Sequence, residues 1–78
     1  HVWFDVELWK YAVEATRDAM AKARPAEAEL FRSRAQDYLT SLTSLHEEVK
    51  QQVQRIPQER RVLVTAHDAF SYFGRAYG

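Results

Sequence analysis

Residues 25–56 read PAEAELFRSRAQDYLTSLTSLHEEVKQQVQRI, and no glycine or proline interrupts the run before Pro57. Apolar residues recur at Phe31, Ala35, Tyr38, Leu42, Leu45, Val49 and Ile56, with one polar slip at Gln52 and Val53 beside it. Steps of four and three give a heptad-like seam along one long helix. Pro25 suits the first helical position, where its missing N–H costs nothing, and Glu27 and Glu29 place negative charge near the positive end of the helix dipole. A helix over 25–56 would be roughly 45–50 Å long at ~1.5 Å per residue. That exceeds what a compact globule of 78 residues needs. It suits a strut between two lobes, or a helical hairpin packed on a partner.

Upstream, Asp5 is a good N-cap and Glu7 sits in the first turn that follows. Trp9, Ala12, Val13, Thr16, Ala19 and Met20 then mark one stripe of a helix running to about Ala23. Arg24-Pro25 ends it, because the residue before proline is pushed out of the helical region. Downstream, Pro57 to Arg61 reads as a polar turn. Val62-Leu63-Val64-Thr65 is then an apolar, mostly β-branched run, the pattern of a strand buried on both faces of a parallel sheet. One short strand is not stable alone. The expected fold is therefore α/β in a larger parent protein, this segment being mostly α-helical: helix, long helix, one parallel strand, and a short helix from Ala69 to Tyr77. The start at His1 and the stop at Gly78 fit the same expectation of an internal segment.

Lysine plus arginine is 11 and aspartate plus glutamate is 11, mixed along the chain, so no broad electrostatic pull toward nucleic acid or anionic membrane is expected. No apolar run approaches the ~20 residues needed to span a bilayer. Cysteine is absent, so any metal site here must use imidazole nitrogen and carboxylate oxygen. No Gly-rich phosphate loop, Gly-x-Ser-x-Gly or His-Glu-x-x-His occurs, and Ser71 has nothing to mark it as a nucleophile. An enzyme is not expected. The two Trp, four Tyr and four Phe sit among apolar residues and read as core rather than as base-stacking platforms.

His67 is the most informative residue. It stands at the carboxyl end of the expected strand and at the start of the third helix, where open α/β sheets bind ligands. Positive potential at a helix N-terminus disfavours the imidazolium, leaving the form that coordinates metal. The other reading is a structural histidine in a turn. Asp68 beside it reads as the cap of the third helix. His46, followed by Glu47-Glu48, reads as part of a solvated helix flank. His1, taken alone, is a surface residue ahead of an apolar Val2-Trp3-Phe4 anchor.

Two motifs read together add a family. His1-Val2-Trp3-Phe4-Asp5 resembles the Asp-Pro-His-x-Trp segment of the TroA-like periplasmic zinc and manganese receptors of ABC importers. Thr65-Ala66-His67-Asp68-Ala69-Phe70-Ser71-Tyr72-Phe73 resembles their Thr-Ser-His-Asp-Ala-Phe-x-Tyr-Phe segment. The likeness covers the whole chain, including Arg60 to Thr65 and Arg75 to Gly78. One departure is Asp5-Val6, where the family often has Asp-Pro; it touches the helix start and not a ligand.

The resemblance implies two α/β lobes joined by one rigid helix, with a divalent metal in the cleft between them. Residues 1–24 would end the N-terminal lobe, 25–56 would be the inter-lobe helix, and 57–78 would start the C-terminal lobe. His1 and His67 would be two of four metal ligands, the others lying outside this chain. Manganese-selective relatives often place glutamate where His67 stands, and imidazole is the softer ligand, so zinc is expected first, with manganese or iron as alternatives. The implied protein is an extracytoplasmic, periplasmic or lipid-anchored receptor that delivers its metal to an ABC permease and does no chemistry on it. A second reading makes the long helix an interaction module with no metal role.

Overall fold

The computed structural model describes every residue from His1 to Gly78. Three helices account for most of it: α1 (Val6–Ala23), α2 (Ala28–Gln54) and α3 (Ser71–Tyr77), with single 3₁₀ turns at Val2–Phe4, Pro25–Glu27 and Gln58–Arg60. The molecule is elongated, 53 × 24 × 14 Å.

The ends of α1 follow from local chemistry. Asp5 adopts an extended backbone, φ −102° and ψ 100°, and its carboxylate accepts a hydrogen bond from the Leu8 N–H at 3.2 Å, satisfying one of the orphan donors of the first turn. At the other end Arg24 leaves the helical region, φ −134° and ψ 76°, as the residue before a proline must. Pro25 opens a tight turn rather than α2 itself, so the long helix begins at Ala28 and ends at Gln54, slightly inside the expected 25–56. The short Arg24–Glu27 connection folds α2 back beside α1 as a helical hairpin.

The seam of α2 differs from the one expected. Phe31, Ala35, Leu39, Leu42, His46, Val49 and Val53 are the buried or half-buried positions, whereas Tyr38, Leu45, Gln52 and Ile56 are exposed. The true stripe keeps steps of four and three without a polar slip, because Val53 and not Gln52 faces inward, and it includes a histidine. At its Phe31 end the stripe meets α1; at its Val53 end it lies beside Phe73 and Tyr77 of α3.

Two further expectations are corrected. Val62-Leu63-Val64-Thr65 forms no strand: a ladder needs a partner for its backbone groups, and no other segment of this chain supplies one. The three apolar side chains stay open to solvent at 77, 62 and 88 % of their full exposure. The third helix begins at Ser71 and not at Ala69, with Phe70 at its N-cap position and no side-chain cap, so Asp68 does not cap it. Gly78 closes α3 at φ 88°, a left-handed conformation that glycine adopts without strain, and its N–H donates to the Gly74 carbonyl at 2.8 Å.

Only Asp5, Ala35, Leu42, Ala69 and Tyr77 are buried, and none of them completely. Ala35 and Leu42 lie on the α2 seam, Asp5 caps α1, and Tyr77 lies on α3. Trp9, Thr16 and Met20 of α1 instead line an open groove with Phe31 and Tyr38 of α2.

Candidate metal centre

The 3₁₀ turn at Val2–Phe4 and the irregular segment before α3 bring the two ends of the sequence together. The Nε2 atoms of His1 and His67 lie 3.2 Å apart although 66 positions separate them. Their rings are nearly perpendicular, at 86° with centroids 5.2 Å apart. Both imidazoles are exposed. For two nitrogens each ~2.0–2.1 Å from one zinc ion, this separation corresponds to an angle of about 100° at the metal, close to tetrahedral. Without a metal the same spacing lets one ring N–H donate to the other nitrogen.

Neighbouring aromatics brace His1 and tie its segment to that of His67. His1 packs edge-on against Trp3, centroids 5.0 Å apart. Phe4, three residues after His1, stacks on Phe70, three residues after His67, at 4.7 Å and 27°. Phe70 meets Phe73 edge to face, and Phe73 packs against Tyr77 at 5.0 Å. On the His67 side the Thr65 hydroxyl donates to the His67 carbonyl oxygen at 2.8 Å, tightening the turn that presents the ring. His67 stands four residues ahead of a helix of seven residues, so the expected effect of the helix dipole on its imidazole does not apply.

Carboxylates add nothing to the pair. No group of three or more histidine, aspartate or glutamate side chains converges anywhere in the chain. Asp5 is spent on capping α1. Residues of this chain can therefore supply two nitrogen ligands to an ion, half of a tetrahedral set.

His46 departs from its sequence reading. It is half-buried in the α2 seam, with Nδ1 3.0 Å from the Tyr77 hydroxyl oxygen. That oxygen also accepts from the Val6 N–H at 3.4 Å. Tyr77 is only 4 % exposed, and burial pushes its hydroxyl above the ordinary tyrosine value, so the group keeps its proton. The available signal was the spacing Leu42-His46-Val49-Val53, which places His46 on an apolar face.

Comparison with known proteins matches the chain over residues 1–78 to the family described as ZnuA, zinc-uptake complex component A, periplasmic. It is 51% identical over its full length to the zinc-binding protein TroA of Treponema pallidum, covering 25% of that protein. It is 46% identical to the manganese-binding lipoprotein MntA of Bacillus subtilis, covering 26% of it. Identity to the iron-binding protein YfeA of Yersinia pestis is 35%, again over 25% of the relative. The solved periplasmic zinc-binding protein TroA from Treponema pallidum superposes with a TM-score of 0.96 over the whole chain and 28% of that structure. The chain thus spans about a quarter of the length of these relatives.

Proposed function

Since the chain belongs to the ZnuA family of periplasmic zinc-uptake components, we propose that it is the part of a metal receptor that carries two of the ligands and the helix between two lobes. His1 and His67 each give one Nε2 to a divalent transition metal, and the remaining ligands come from residues beyond these. The observation that carries this reading is the 3.2 Å approach of two histidines from opposite ends of the sequence, at a spacing that fits one zinc ion.

Residues 1–24 belong to the N-terminal lobe, α2 with its preceding turn is the inter-lobe strut, and residues 57–78 open the C-terminal lobe. The open groove along Trp9, Thr16 and Met20 and the exposed Val62-Leu63-Val64 run are then surfaces that the rest of the lobes cover. Relatives named for zinc, manganese and iron set the range of cargo. Two imidazoles favour zinc within it. The receptor works outside the cytoplasm and hands the ion to a membrane permease without altering it. No observation favours the interaction-module reading, and the apolar seam of α2 faces α1 and α3 of the same chain.

The test is zinc titration of the complete receptor against a chromophoric chelator, with His67→Ala beside the unaltered protein. The substitution is expected to lower affinity by at least a hundredfold. Unchanged binding would remove His67 from the site and with it this reading.

A further inference from the structure

The hydroxyl of Tyr77 is the one polar group that touches three separate elements. It is the end of a nearly fully buried side chain on α3, it accepts from the backbone of Val6 at the start of α1, and it lies against the ring of His46 on α2. The Val6 N–H donates to it; with the ring hydrogen of His46 on Nε2, the phenol in turn donates to His46 Nδ1, and the chain of donors runs from the Val6 N–H through the Tyr77 O–H to His46. The Val6 N–H belongs to the first turn of α1 and has no acceptor within its own helix, so the tyrosine oxygen also completes the cap that Asp5 begins.

We infer that Tyr77 and His46 are positioning residues for the metal ligands: this three-way joint sets how far His1 stands from His67. The inference rests on the metal-receptor reading above. His1 is tied to the joint through the turn that ends at Asp5 and Val6. His67 is tied to it through the row Phe70, Phe73 and Tyr77, whose first ring stacks on Phe4. The fixed reference is His46, set in the longest helix of the molecule. Aromatic stacking is tolerant of sliding, whereas a buried hydroxyl with two directional partners is not. If the joint shifts, a donor or an acceptor loses its partner at a part-buried position. The joint therefore holds the two ligand-bearing turns in register and limits the reorganisation needed when an ion is captured.

The experiment uses the complete receptor with zinc alone as the probe. Tyr77→Phe removes one oxygen and keeps the ring, and His46→Phe removes the acceptor. Each is expected to weaken zinc binding by about five- to tenfold, the worth of one hydrogen bond. The double variant should be no weaker than Tyr77→Phe alone, since that change already cuts the link to His46. His46→Asn, whose side-chain oxygen can accept where Nδ1 did, should recover most of the affinity lost in His46→Phe. Thermal melting of the metal-free proteins is followed in parallel. Wild-type zinc affinity in both Tyr77→Phe and His46→Phe, whether or not the melting temperature falls, would make the joint merely structural and overturn the inference. Should the unaltered receptor fail to bind zinc, or bind it equally well as His67→Ala, the metal-receptor reading falls and this inference falls with it.

Discussion

Phe4 and Phe70 stack face to face at 4.7 Å, and each follows a histidine by three residues. The stack joins two short irregular segments that share no backbone hydrogen bond. A ring pair of this kind contributes roughly 1 kcal/mol beyond the area it buries. In the complete receptor, Phe4→Leu and Phe70→Leu should each lower stability by about 1 kcal/mol, with a coupling of similar size in the double variant. Urea unfolding of the four proteins measures it, and strict additivity would show that the rings do not support one another.

Asp5 is buried, and the one hydrogen bond of its carboxylate within the chain is from the Leu8 N–H of the first helical turn. Asp5→Ala should cost about 1 kcal/mol, and Asp5→Asn much less, because an amide oxygen can still accept. Chemical denaturation distinguishes them; equal losses would mean that the charge, and not the cap, is what matters.

Replacing one imidazole by a carboxylate changes the hardness of the ligand set. His67→Glu is expected to weaken zinc binding by about tenfold or more and to raise the affinity for manganese relative to zinc. Competition between the two ions on the same protein, read by elemental analysis of the bound metal, decides it. An unchanged ratio would place selectivity in ligands other than His67.

Burial raises the Tyr77 hydroxyl above the ordinary tyrosine value of 10.0. The unfolded chain therefore surrenders this proton first, so stability from this group is fully present below that value. It should fall as the pH rises past the ordinary value and through the raised one of the folded state. Urea midpoints measured across this alkaline range should drop more steeply in the unaltered protein than in Tyr77→Phe. Parallel curves would show that deprotonation of Tyr77 costs the fold nothing.

Features governed by neighbours in sequence were legible from it. The cap at Asp5, the break at Arg24-Pro25 and the uninterrupted helix up to Gln54 follow from side chains acting within a turn or two. The register of the long helix was less so. Tyr38, Leu45 and Ile56 are apolar yet exposed, and they shift the expected seam by one residue, roughly a quarter of a turn, from Leu39, His46 and Val53. The Val62–Thr65 run has strand composition, but a strand is a property of two segments and this chain holds one. Of the site, strand-end logic singled out His67, while its approach to His1 rests on packing between residues 66 positions apart. Only the two motifs, read as a family resemblance, linked them. His46 reads as solvated from its acidic neighbours in sequence, Glu47 and Glu48, while helical geometry turns the imidazole toward the seam.

Val62, Leu63 and Val64 stand exposed, apolar and mostly β-branched, with no neighbour paired along their backbone. Such a stretch is a template on which another molecule can lay down a strand of its own. Produced by themselves, these residues would be prone to self-assembly through this edge. On the receptor reading proposed above, a segment pairing with it would guard against fibril growth as well as form part of the fold. A lysine in place of Val64 should keep the isolated chain dispersed.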